Sequence, residues 1–263
     1  MTTTTTDASG QGGAELPTSL KGNPRLSQWL RFHGDGTIEL SPGKVEIGQG
    51  IITALAQIAA DELDIDIARV RVRAATTAAS PNEGVTSGSL SIEHSGAAVR
   101  HVAAEARAIY LAAAAQRLGV AQDQLQIMDG TIIGPGNLRT SYWELADATL
   151  LARDARAGVL GKAPAARRLT GTPAARLDLP DKVFGRPRFL HDMPMPGLVH
   201  ARVLKPAFPG ATLIALDEAG PRKLPGVIAV VRDGSFAGEG CARRSRSWCW
   251  SARRSACSRP AGA

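Results

Sequence analysis

Two stretches of the chain decide how the rest is read. The first is Gly43-Lys44-Val45-Glu46-Ile47-Gly48-Gln49-Gly50-Ile51-Ile52-Thr53-Ala54-Leu55-Ala56-Gln57-Ile58, and the second is Pro81-Asn82-Glu83-Gly84-Val85-Thr86-Ser87-Gly88-Ser89-Leu90-Ser91. Each brings glycines and small polar groups to the start of a segment with helical apolar spacing. Gly48-Gln49-Gly50 opens a helix with Ile52, Leu55, Ala59 and Leu63 on one face. Thr86-Ser87-Gly88-Ser89-Leu90-Ser91 opens the longest predicted helix, from about Ser91 to Leu118. Its slim stripe of Ile92, Val99, Val102, Ala106, Ile109 and Ala113 suits close packing on a sheet, and Gly119 ends it. A helix start carries unpaired N–H groups and about half a positive charge, so it favours an anion. Glycine admits close approach to the backbone, hydroxyls add donors, and Gln49 both donates and accepts, as a polar heterocycle requires. Two such helices leaving one sheet in the same direction would jointly grip a large phosphorylated, ring-containing cofactor. The same residues also serve as ordinary helix caps, and Gly-x-Gly alone is a weak signal.

Around these loops the pattern is mixed. Trp29 to His33 and Thr37 to Leu40 alternate about Gly34-Asp35-Gly36, a hairpin signal. Lys44 to Ile47 and Val70 to Ala74 read as strands, and Asp129-Gly130 turns a second hairpin between Leu125–Met128 and Thr131–Ile133. Ser141 is expected to cap a short helix through Ala146. Residues 1–22, rich in Thr, Gly and Ser, read as a disordered lead-in, 23–150 as a cofactor-binding segment, and 151–179, without period, as a linker. A second unit over 180–238 carries expected strands at 189–191, 198–204, 212–216 and 227–231, with a helical turn at 219–224. The fold class is α+β.

Composition narrows the function classes. The chain has 263 residues, 44% hydrophobic and 21% charged, as a globular protein should. No apolar run reaches the roughly 18 residues of a spanning helix, and the start lacks a secretory signal, so a cytoplasmic location is expected with no membrane partner. The net charge of +7 is local: six arginines and no acid lie between Gly240 and Ala263, leaving 25 basic and 24 acidic residues elsewhere. That tail also holds Cys241, Cys249 and Cys257. Its basic, aromatic-interleaved text could be read as a nucleic-acid arm, and its cysteines match no usual zinc spacing. The preferred reading is a frameshifted, disordered tail over 239–263 on a truncated chain, with no nucleic-acid partner. The five histidines, at 33, 94, 101, 191 and 200, lack metal-ligand spacing, and no metal ligands are assigned. Glu46 reads as a hydrogen-bonded strand acid near the first loop, and Asp61-Glu62 as the exposed end of a helix.

At the two loops the sequence resembles the molybdopterin-binding large subunit of the xanthine dehydrogenase family, two long motifs in order at the expected separation. The resemblance implies that Gly48, Gln49, Gly50, Ser87, Gly88, Ser89 and Ser91 hold a molybdenum–pyranopterin cofactor, as molybdopterin or its cytosine dinucleotide form. Lys182-Val183-Phe184-Gly185-Arg186-Pro187, then His191 to Ala201 and Leu224 to Val231, are similar to that family's a/b hammerhead domain. A cofactor-binding segment placed before the hammerhead is similar to the branch holding the isoquinoline 1-oxidoreductase beta and nicotinate dehydrogenase large subunits. The implied activity is hydroxylation of an aldehyde or N-heterocycle with oxygen from water. Electrons would leave through a separate small 2Fe-2S subunit, and no iron–sulfur cluster is expected here. The family's Gly-Val-Gly-Glu base is not found, so no catalytic residue is assigned and the chain alone is expected to be inactive. The other reading kept is a non-catalytic assembly module for an iron–sulfur partner.

Overall fold

The computed structural model describes residues 15–186, 189, 192–204, 215–233 and 246–251. The chain divides into two units, Met1–Arg186 and Pro187–Ala263. Helices and sheets are mixed in the first unit. Helices α1 (Thr18–Gly22) and α2 (Leu26–Trp29) lead into β1 (Leu30–Phe32), which turns back into β2 (Ile38–Leu40) with Leu30 opposite Leu40. The Asp35 carboxylate closes that turn by accepting the backbone N–H and the hydroxyl of Thr37, and Gly36 takes a left-handed φ of 86°. Helix α3 (Ile51–Leu63) then carries the chain to β3 (Val70–Val72), which pairs parallel to β2 with Ile38 opposite Val70. Parallel neighbours need a crossover, and α3 is that crossover.

A π-helical turn, Ser91–Gly96, continues into α4 (Ala97–Leu118), which Gly119 ends in the left-handed conformation. Helices α3 and α4 pack through small residues: Ala56, Ala59, Ala60, Ala98 and Ala106 are wholly buried. A second antiparallel sheet follows, β4 (Gln126–Met128), β5 (Thr131–Ile133) and β6 (Arg139–Ser141). Between the sheets and α4, Phe32, Tyr110 and Tyr142 form an aromatic cluster with centroids 4.3 to 5.4 Å apart. Helix α5 (Leu179–Val183) closes the unit.

Several expectations are corrected. Of the lead-in, 1–14 lie outside the described residues, but 15–22 are ordered and Leu20 is fully buried. Pro17 starts α1 and Leu20 anchors it, a signal outweighed by the surrounding Thr and Gly. Lys44 to Ile47 is a loop, because its backbone amides go to side chains and not to a neighbouring strand. Ile92, placed in the buried stripe, is 52% exposed, because the π turn shifts the facing of the first helical residues. Ser141 belongs to β6 and its hydroxyl accepts from Glu144 N–H, capping a turn where a helix was expected.

The stretch 151–179 is a strap held along the first unit. Leu151 and Arg153 carbonyls accept from Ser27 and Leu26, and Ala155 donates to Pro24. Further on, buried acids hold it. Glu105 accepts from Arg156 N–H, Glu62 from Lys162 N–H, and Asp61 from the N–H groups of Arg168, Leu169 and Thr170. Asp61 and Glu62, expected at an exposed helix end, are only 3% and 1% exposed. Hydrophobic period does not announce such a strap, since most of its ties are backbone hydrogen bonds and its core contacts, Leu151, Ala155 and Leu169, are widely spaced.

The second unit has β7 (His200–Leu204), α6 (Ala219–Arg222), β8 (Val227–Asp233) and β9 (Arg246–Ser251). Strand β9, within the stretch expected to be disordered, lies between β7 and β8 and pairs antiparallel with both. Most of the strand expected at 189–191 and of that at 212–216 lies outside the described residues. No helix among the described residues is long and apolar enough to cross a membrane.

Candidate functional site

Strands β2 and β3 run parallel, so the chain leaves both at the same edge of their sheet. The loop after β2 ends in Gly48-Gln49-Gly50 at the start of α3, and the loop after β3 ends in Ser87-Gly88-Ser89 at the start of the π turn. The carboxyl edge of parallel strands is where open α/β sheets hold ligands. The two loops are also joined directly. Glu83 accepts from Gly43 N–H at 2.8 Å and Lys44 N–H at 3.2 Å, while the Lys44 ammonium donates to the carbonyls of Glu83 and Val85. Thr86 Oγ1 accepts from Val45 N–H at 3.0 Å.

Glu83 is the hub of this junction and was not singled out from the sequence. Its other contacts are hydroxyls, Ser19 of α1 on Oε1 and Ser95 of the π turn on Oε2. Asn23 adds a second tie by exchanging hydrogen bonds with Asn82 and accepting at its carbonyl from Trp29 Nε1. Lys44 is 3% exposed. An acid two residues after Pro81 in a polar loop was the only available signal. The seam opens into a cavity of about 360 Å³ bordered by Gly43, Val45, Thr76, Ser80, Pro81 and Gly84.

The two loops differ in what they leave free. At the first, Glu46 Oε1 accepts from the N–H groups of Gly48 and Gly50, both at 2.9 Å, and Oε2 from Ile52 N–H at 3.3 Å. The first helix start thus already holds an anion, the protein's own carboxylate. Burial pushes the Glu46 carboxyl up, but these three amides outweigh it and hold it below the usual range. Gln49 turns back on its own loop, accepting from Ile47 N–H and donating to the Val45 carbonyl. The expectation that both loops offer free amides therefore fails for the first. Gly48 has a φ of 106°, and a side chain built there would meet open space.

At the second loop, Ser87, Gly88 and Ser89 are exposed and Ser91 is half-buried. Gly88 and Ser89 are both left-handed, with φ of 64° and 59°, which is uncommon for serine. Leu90 N–H returns to the Ser87 carbonyl at 3.3 Å. Val45, Ile47, Val85 and Ile92 present exposed apolar side chains beside the loops. The donor set suits a phosphorylated heterocycle: hydroxyls and glycine backbone at one loop, and at the other an amide nest whose taste for anionic oxygen Glu46 demonstrates. Among the described residues, no group of three or more His, Cys, Asp or Glu could hold a metal ion.

Acid should loosen this region in a defined window. Asp61, like Glu46, is pushed up by burial and drawn down further by the strap amides and Thr170, and Asp178 is held at about 2 against its burial by Lys182 and Arg176. Carboxylates with depressed folded-state values contribute fully above their unfolded values of about 4 and lose that contribution as pH falls through the folded ones. The urea midpoint of the chain should therefore stay level from pH 8 to 5 and fall from about pH 4 towards 2. Asp61→Asn should flatten part of that fall.

The molybdopterin cofactor-binding domain family matches over residues 4–170. The chain belongs to that family. It is 36% identical over 225 residues to a nicotinate dehydrogenase subunit from Pseudomonas putida, covering 81% of this chain. It is 28% identical over 264 residues to the beta subunit of isoquinoline 1-oxidoreductase from Brevundimonas diminuta, covering 85% of this chain. Over shorter spans it is also similar to a xanthine dehydrogenase from Blastobotrys adeninivorans and an aldehyde oxidase from Cavia porcellus. The chain spans 19% of the first relative's length and 34% of the second's. A solved Cu,Mo-CO dehydrogenase is similar over 44% of this chain and 15% of its own, at 29% identity and a TM-score of 0.40.

Proposed function

We propose that this chain supplies a molybdenum–pyranopterin-binding part of a hydroxylase large subunit. The observation that carries the reading is the joined pair of loops at the carboxyl edge of β2 and β3, within the span of the family match. Ser87, Gly88, Ser89 and Ser91 would hold the cofactor's phosphate and ring edges through hydroxyls and backbone. Gly48, Gln49 and Gly50 would approach it from the other loop. Gln49 can serve only after releasing its contacts to Ile47 and Val45. When bound, the cofactor supplies two-electron redox chemistry and delivers oxygen from water; molybdopterin and its cytosine dinucleotide form both suit the donors. The chain's own residues bind and orient, and no residue of this chain is assigned as the proton-accepting base. The whole protein would hydroxylate an aldehyde or N-heterocycle in the cytoplasm and pass electrons to a small 2Fe-2S subunit.

Residues 180–238 are assigned as a hammerhead-like domain. The exposed Leu198, Leu224 and Ile228 there favour a second reading, an assembly surface for an iron–sulfur partner.

Expression in a host that makes the cofactor separates these readings. Metal analysis and pterin fluorescence should find sub-stoichiometric cofactor on the chain, and dye reduction should find no turnover. Ser87→Ala with Ser89→Ala should lower the pterin retained by roughly tenfold, as the loss of two hydrogen bonds implies. Stoichiometric molybdenum with turnover would overturn the inactive assignment. Co-purification of an iron–sulfur protein without pterin would favour the assembly reading.

A further inference from the structure

The strap carries a guanidinium back to the first loop. Arg176 Nη1 donates to the Gly48 carbonyl at 3.1 Å, and Nη2 lies 3.3 Å from Glu46 Oε1. Its Nε and Nη2 also engage the two oxygens of Asp178 at 3.2 and 3.0 Å. Asp178 is 1% exposed and also pairs with Lys182. Next along the chain, Leu177 N–H donates to Thr53 Oγ1 at 3.0 Å, in the first turn of α3. The planar fork is thus fixed on one side by Asp178, with its remaining edge turned to the loop.

We propose that Arg176 is a positioning residue of the Gly48-Gln49-Gly50 loop, acting through Glu46. The inference rests on reading that loop as part of the cofactor site. Glu46 and Asp178 are buried carboxylates sharing one cation. Without Arg176 they face each other with Lys182 bound only to Asp178, and like charges so placed favour expulsion of one. Glu46 is the one that leaves, because Asp178 keeps its lysine. Its departure strips acceptors from the amides of Gly48, Gly50 and Ile52 and frees the loop to change shape. With Arg176 in place those amides stay occupied by Glu46, so direct anion contact falls to the second loop. A lysine cannot reproduce this, since one ammonium cannot span Asp178, Glu46 and the Gly48 carbonyl in a fixed plane.

Hydrogen exchange on the full chain tests the role without any cofactor. Arg176→Ala should speed exchange at Gly48, Gly50 and Ile52 by roughly tenfold or more while α4 amides keep their protection. Arg176→Lys should restore only part of it. Glu46→Gln should speed the same amides, and adding Arg176→Ala to it should change them little further, since one acts through the other. Unchanged exchange in Arg176→Ala, or fully additive effects in the double variant, would overturn the proposal. Pterin retention is read separately in the same variants. A drop in Arg176→Ala that Arg176→Lys partly reverses supports the positioning role, whereas undiminished retention on a loosened loop overturns it. If even the parent chain retains no pterin, the cofactor reading fails and the exchange data alone decide whether Arg176 sets the loop.

Discussion

Gly43→Ala should separate the two loops and cost the first unit about 3 kcal/mol, as overpacking of a closed seam does. A methyl group at this position would fall inside contact distance of the Pro81 carbonyl oxygen and 2.9 Å from Glu83 Cγ. Backbone torsion is not the reason, since Gly43 is not among the left-handed glycines. The reason is space: Gly43 N–H must reach the Glu83 carboxylate while the chain at Pro81 runs against its α-carbon. The backbone must move, and every tie across the seam moves with it, from Lys44 to Thr86. A drop in Tm of roughly 6–12 °C follows for a unit of this size. Gly22→Ala is the control, because a methyl there meets nothing within 4 Å, and it should leave Tm within a degree or two. Equal melting of the two variants would show that the seam does not carry the stability assigned to it.

The second large effect is expected at Asp61. Its carboxylate is the shared acceptor for three successive backbone amides, those of Arg168, Leu169 and Thr170. Asp61→Ala leaves these donors unpaired near the core, which costs about 2–3 kcal/mol. Gln57, donating to the carbonyls of Leu169 and Thr172, and the packing of Leu169 on the core would still hold this part of the strap. Trypsin should then cut after Arg167 and Arg168 at least roughly tenfold faster than in the parent chain, because cleavage follows the open population. Asp61→Asn keeps an acceptor oxygen and should lie between the two. If Asp61→Ala resists trypsin like the parent, the strap is held by something other than this cradle.

Local signals carried much of the first unit. Gly34-Asp35-Gly36 and Asp129-Gly130 between alternating runs marked both hairpins, and the apolar spacing from Ile52 and from Ile92 marked α3 and the run that forms the π turn and α4. The candidate site was legible as two glycine–hydroxyl loops at helix starts, and the parallel pairing of β2 with β3 brings them to one edge. What escaped shares a physical character. Glu46, Glu83, Asp61 and Arg176 act by hydrogen bonding to backbone that the fold, not the local sequence, brings within reach, and such contacts leave no hydrophobic period to read. Glu46 is two residues from Gly48 and looked like a strand acid; only the fold of the loop turns it onto three amides. The strap likewise reads as structureless text because carboxylates of α3 and α4 accept its backbone amides, while its apolar contacts, Leu151, Ala155 and Leu169, are too widely spaced to form a period.

That strap fixes a timetable for synthesis. The contact between Arg176 and Gly48 spans 128 residues, and that between Lys162 and Glu62 spans 100. A nascent polypeptide can therefore fold its hairpins and pack its two long helices while the pocket's last struts are still untranslated. The first loop reaches its final shape only after residue 178 has emerged, because closing so long a loop is the slow, non-local step. On the proposed reading, cofactor would be taken up only after Arg176 has emerged, and a product ending before it would present a foldable but unset receptacle.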